Sequence, residues 1–96
     1  MKPSQALKLH RDDIRRVVEA NRASNPRVFG SVVHGNDTED SDLDLLIDPT
    51  EHTTLQSIVR IEEELKQLLG VPVDVETPGS LSERFRQRVL AEAVRV

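Results

Sequence analysis

Apolar residues along the chain switch between two periods, and the switches divide it into six segments. Between Ser4 and about Ala23, Leu7, Ile14, Val17 and Val18 recur near helical spacing behind a Pro3-Ser4 start, which predicts a first helix. Asn25-Pro26 is read as its break, and Arg27 to Val32 offers the β-branched and aromatic residues of a short strand. Asn36 to Ser41 is polar and acidic, a loop with room for a helical turn before it. Over residues 42–48 the pattern alternates. Leu43, Leu45 and Ile47 fall on one face of an extended chain, and Asp42, Asp44, Leu46 and Asp48 on the other. After Pro49, Leu55, Ile58, Ile61, Leu65 and Leu68 mark an amphipathic helix that ends at Gly70. Val71, Val73 and Val75 then alternate with Pro72, Asp74 and Glu76 as a third strand. Ser80 and Glu83 stand in capping-box relation ahead of a last helix carried by Leu81, Phe85, Val89 and Ala93 almost to the C-terminus.

The order is therefore αββαβα, an α/β (α+β) domain with a mixed three- or four-stranded sheet flanked by helices. The strand–helix–strand unit from Leu43 to Val75 should form a right-handed parallel crossover, with the Val28 strand beside it. At 96 residues, with 36% hydrophobic residues and two Phe, the whole chain 1–96 is expected to be one domain around a thin aliphatic core, without room for a second, substrate-choosing domain. A net charge of −4 makes extended DNA or RNA a poor partner, although a small anion can be bound locally. The absence of cysteine excludes disulfide and thiolate chemistry. No apolar run reaches the length of a signal core or membrane span, so a soluble, cytoplasmic protein without membrane contact is expected.

Candidate chemistry lies on the polar faces of the strands. Asp42 and Asp44, two residues apart on a strand, project from one side, separated by roughly 7 Å of backbone rise. Asp74 comes from the strand reached through the crossover helix, and adjacent strands lie about 4.8 Å apart, so three hard oxygen donors can converge. Mg²⁺ favours such carboxylates together with water and substrate phosphates, and a pair of ions roughly 4 Å apart can stabilise both the attacking and the leaving oxygen of phosphoryl transfer. Gly30-Ser31 ends the preceding strand, where a missing side chain lets phosphate approach the backbone. The Ser31 hydroxyl can donate to such a group, and a helical turn after it would add free amides.

Gly30-Ser31, ten intervening residues, Asp42-Leu43-Asp44 and then Asp74 on a later strand resemble the signature of the polymerase-β-like nucleotidyltransferase superfamily. The flanking Gly30-Ser31-Val32-Val33-His34-Gly35 and Ser41-Asp42-Leu43-Asp44-Leu45-Leu46 are similar to the minimal nucleotidyltransferase family, over roughly Arg11 to Val94. The resemblance implies that Gly30 and Ser31 hold the triphosphate of ATP or another NTP. It implies that Asp42 and Asp44 hold Mg²⁺, two ions when nucleotide is bound, and that Asp74 completes the metal site and helps activate an acceptor hydroxyl. A nucleoside monophosphate, AMP from ATP, would be transferred and pyrophosphate released. Such small proteins are often antitoxins of a helical HEPN-domain RNase toxin, in some cases adenylylating a tyrosine on it. Two departures bear on nucleotide affinity: His34 stands where many relatives carry Arg, and Val33 replaces a small residue.

Competing motifs fail on single positions. Asp40, Asp42, Asp44 and Glu51 match calcium-loop positions, but Leu45 occupies the one that must be glycine. Gly30 and Gly35 share the outer spacing of a P-loop, but Asn36 stands in place of its lysine. Asp48 and Glu76 read as ordinary exposed strand acids, and His10, His34 and His52 as surface side chains without ligand partners. Arg84, Arg86 and Arg88 read as a face toward solvent or a protein. Two functions follow: an enzyme that silences a partner by adenylylation, or a non-catalytic antitoxin that neutralises a helical partner by stoichiometric binding. Transfer to a small molecule or an RNA end is weaker, because nothing remains in the chain to shape that acceptor site.

Overall fold

A computed structural model describes all residues, Met1–Val96. A four-stranded mixed sheet in the order β3-β2-β1-β4 is its frame. Strand β1 (Ala23–Phe29) runs antiparallel to β2 (Leu43–Pro49), and β2 runs parallel to β3 (Val73–Glu76). The crossover between β2 and β3 is α4 (Leu55–Leu69). Leu43, Leu45 and Ile47 are fully buried on the face that receives α4, α1 (Pro3–Leu9) and α2 (Arg11–Ala20). Ala6, Ile14, Val18, Ile61 and Leu65, also fully buried, close that aliphatic core.

The ends of α4 are fixed locally. Ser57 N–H donates to Thr54 Oγ1 at 3.1 Å while Thr54 N–H donates to Ser57 Oγ at 3.1 Å, and Gly70 ends the helix at φ 71°. Because Ser57 is buried, Thr54→Ala strands its partner. It should cost about 1 kcal/mol and lower the melting temperature by roughly 4–8 °C, as read by circular dichroism.

Four details differ from the pattern-based reading. The single helix expected over Ser4–Ala23 is two: the chain breaks at His10, whose N–H donates to Ala6 O and Leu7 O and ends α1. Leu7 and Ile14 lie seven residues apart, a spacing that a continuous helix would also produce. Asn25-Pro26 lies inside β1, in a bulge where the register shifts between Ser24 and Arg27. Asn25 tolerates the left-handed φ of 52° there, its side chain donates to Asp48 Oδ2 at 2.9 Å, and proline is accepted at a bulge. The last helix, α5 (Glu83–Glu92), is capped by Ser82; Ser80 belongs to a preceding 3₁₀ turn (Pro78–Ser80) capped by Thr77. Beyond α5 the chain adds β4 (Val94–Arg95) antiparallel to β1 and buries Val96.

Candidate active site

The sheet face opposite the core carries the polar groups. Register pairs Asp44 with Phe29 of β1 on one side and with Asp74 of β3 on the other. The parallel crossover therefore sets Asp44 beside Asp74 on adjacent strands. Asp42 stands just before β2, exposed, at the same end. Leu46, on the Asp44 face, is fully buried, and the 3₁₀ turn packs over β2, so this face is walled in part rather than open.

Gly30 abuts this cluster from β1. Its φ of 76° with ψ −144° lies where only glycine sits without strain, and a side chain there would run into the Asp44 carboxylate, coming within 3.3 Å of Cγ and closer still to Oδ2. The missing side chain thus makes room for that carboxylate against the β1–α3 turn. Helix α3 (Ser31–His34) starts directly afterwards; Val33 and His34 N–H groups donate to Gly30 O. The leading amides of that turn are the ones a helix start leaves for an outside acceptor. Gly30, Ser31, Asp42, Asp44 and Asp74 are therefore gathered around one end of the sheet.

The carboxylates repel one another. Partial burial, then the charges of Asp74, Asp42 and Glu76, push the Asp44 carboxyl up to about 6. Burial followed by the charges of Glu76, Glu62 and Asp42 raises Asp74 as well. None of Asp42, Asp44 and Asp74 is in a salt bridge. They are neighbours without being closed into a three-ligand cage. An all-oxygen, uncompensated cluster of this kind matches the donor preference of a hard divalent cation.

A pH effect follows. The unfolded chain releases the Asp44 proton near 3.8 and the folded chain near 6, so the folded state binds more protons between these values and loses stability as pH rises through them. In EDTA the protein should melt higher at pH 5 than at pH 7. Asp13 and Asp37, lowered by hydrogen bonds from His10 and Ser4 respectively, act the other way but below pH 4, outside this window. A melting temperature that climbs steadily from pH 5 to pH 7 would contradict the cluster's charge state.

Beside the acid cluster, between the β1–α3 turn and α5, lies an open cleft of about 680 Å³. Phe29, Gly30 and Ser31 form one wall, and Leu81, Phe85, Arg88 and Val89 the other. His34 Nε2 and Glu92 Oε2, 3.0 Å apart, bridge α3 to α5 at the cleft. Sequence reasoning missed the α5 wall. The repeat of Leu81, Phe85 and Val89 looks like a helix face turned to the core, yet α5 buries no residue and Phe85 stays 45% exposed. The three arginines also divide. Arg86 donates to Pro78 O at 2.8 Å and Leu81 O at 2.9 Å, holding the turn before α5, whereas Arg88 lines the cleft.

A family model described as nucleotidyltransferase domain matches residues 11–96. The chain is 44% identical over 69 residues to the protein adenylyltransferase MntA of Thermococcus cleftensis, covering 72% of this chain and 70% of that one. A solved minimal nucleotidyltransferase superposes with a TM-score of 0.86 at 39% identity, over 97% of this chain and 95% of that one. A toxin–antitoxin crystal structure with AMP-PNP shares the fold at a TM-score of 0.74 and 20% identity, over 88% of this chain and 69% of that one. The chain belongs to the nucleotidyltransferase domain family. Within it, the chain has the fold of a minimal nucleotidyltransferase, a small α+β domain whose four-stranded sheet carries the acid cluster. No helix is long and apolar enough to cross a membrane.

Proposed function

We propose that the chain is a Mg²⁺-dependent adenylyltransferase acting on a hydroxyl, a tyrosine, of a cognate helical HEPN-domain toxin, and so serves as its antitoxin. The observation that carries this reading is Gly30 set against the carboxylate of Asp44, which pairs in register with Asp74. Metal-type ligands and a backbone turn free of side chain thus meet at one sheet end. Asp42 and Asp44 would hold Mg²⁺, with Asp74 completing the set, and the ions would supply neutralisation of phosphate charge and an activated acceptor oxygen. Gly30, Ser31 and the first amides of α3 would seat the triphosphate beside them, fixing the α-phosphorus for in-line attack. Asp74, its carboxyl raised by burial and acidic neighbours, would accept the acceptor's proton. Pyrophosphate would leave on the side away from the incoming oxygen.

The acceptor is argued from a relative named as a protein adenylyltransferase and from similarly folded proteins in toxin–antitoxin complexes. The cleft is open, so a protein that brings its own hydroxyl suits the site better than a small acceptor needing an enclosing pocket. The other reading, a stoichiometric binding antitoxin, makes a different forecast for cells producing the toxin. Under adenylylation, Asp42→Ala/Asp44→Ala should fail to restore growth while still accumulating as folded protein. Full rescue by that double variant would establish neutralisation by binding instead.

A further inference from the structure

Resting on the reading of Gly30-Ser31 as the nucleotide seat, we infer that Arg88 of α5 is the side chain that grips the phosphates of the bound nucleoside triphosphate across the cleft. A triphosphate brought to this end of the sheet meets Asp42, Asp44, Asp74 and Glu76 on a chain of net charge −4, so metal alone must offset many negative charges. A protein cation facing the same space would offset part of that charge and hold the phosphates in place. His34, in the α3 turn, is engaged by Glu92 at 3.0 Å. Arg86 is committed to the carbonyls of Pro78 and Leu81, and Arg84 lies outside the cleft lining. Arg88 remains: it lines the cleft with Gly30 and Ser31, is exposed, and makes no salt bridge.

Its placement is supported from below. The Arg88 guanidinium lies 5.3 Å from the Phe85 ring centroid, a cation–π distance that limits the wandering of an exposed arginine without consuming its N–H donors. Phe85 and Val89 present apolar surface in the same cleft, and no residue of α5 is fully buried against the rest of the fold. The helix face is therefore left for a ligand that combines a flat apolar part with anionic oxygens, as a nucleotide does.

The test is isothermal titration of the full chain with AMP-PNP and, separately, inorganic triphosphate, both with Mg²⁺. Arg88→Ala should weaken both ligands about 10- to 100-fold, the usual loss for a charge-assisted contact to phosphate. Arg88→Lys should lose less, because charge survives without the fork. Arg84→Ala, the same chemistry over the same ring at 5.9 Å but outside the cleft, should stay within about twofold of wild type. Unchanged binding of both ligands by Arg88→Ala overturns the inference while leaving the nucleotide seat standing. Loss of AMP-PNP alone assigns Arg88 to the nucleoside and overturns the phosphate contact. If wild type binds neither ligand, the seat itself is wrong, and Arg88 falls with it.

Discussion

Asp44→Asn should melt higher than wild type in EDTA at pH 7 and transfer almost no nucleotide. The two effects have one origin. Asp44 is partly buried beside Asp74 and Asp42, and its carboxyl is pushed up to about 6, so at pH 7 the folded apo protein holds an uncompensated charge. A rise of roughly two units corresponds to about 3 kcal/mol at 1.36 kcal/mol per unit, which solvent screening reduces to on the order of 1–2 kcal/mol. Asparagine has the shape without the charge, and the gain should appear as a melting temperature higher by roughly 5–10 °C. Activity should move the other way. Removing a carboxylate from the proposed metal set should forfeit several kcal/mol of charge stabilisation, on the order of a hundred- to ten-thousandfold in rate. Differential scanning fluorimetry and label transfer from α-labelled ATP read the two halves separately. An apo protein that unfolds more easily than wild type would show that Asp44 is structural.

Gly30→Ala should cost both stability and activity. The backbone there is strained for any residue with a side chain, about 1–3 kcal/mol, and the new methyl group meets the Asp44 carboxylate. Displacing that carboxylate by as little as about 1 Å should lower transfer on the order of a hundredfold. The steric part is separable by a double-mutant cycle. In Gly30→Ala/Asp44→Ala the colliding Oδ2 and Cγ are gone, and the nearest remaining atom, Asp44 Cβ at 3.6 Å, is in ordinary contact. The double variant should therefore be more stable than the sum of the single effects predicts, by about 1 kcal/mol or more. Strict additivity would mean that Gly30 serves the turn alone and has no bearing on Asp44.

These variants probe features that were unevenly legible in the sequence. The alternation of Leu43, Leu45 and Ile47 with Asp42 and Asp44 identified β2 and its chemical face, because a strand with one buried side must repeat every second residue. Gly70 after an apolar helical repeat marked the end of α4 correctly. The meeting of Asp44 with Asp74 followed from the parallel crossover, a rule of chain topology rather than of either segment. What stayed hidden depended on distant partners. Val94–Arg95 is a strand only because β1 offers it an edge, and two residues carry no period of their own. The bulge at Asn25-Pro26 reads locally as a break, since its strand character comes from pairing with β2. Leu46 falls on the same face as Asp42, Asp44 and Asp48, and alternation alone gives no sign that this face is closed over it, yet Leu46 is fully buried.

Arg88 shows the same limit at the site. Three arginines at alternate positions in α5 look equivalent in sequence, and only the fold sends Arg86 to backbone carbonyls and Arg88 into the cleft. Gly30 is the opposite case. The resemblance marked it as a phosphate contact, and the structure adds a second reason for glycine, the carboxylate standing where a side chain would be.

The most direct measurement is the intact mass of the proposed partner toxin after incubation with ATP, Mg²⁺ and either the wild-type chain or Asp42→Ala/Asp44→Ala. A gain of one or more AMP units on the toxin with wild type, absent with the double variant and abolished by EDTA, is the expected result. A toxin of unchanged mass that is nevertheless neutralised by both proteins would contradict catalysis at this acid cluster.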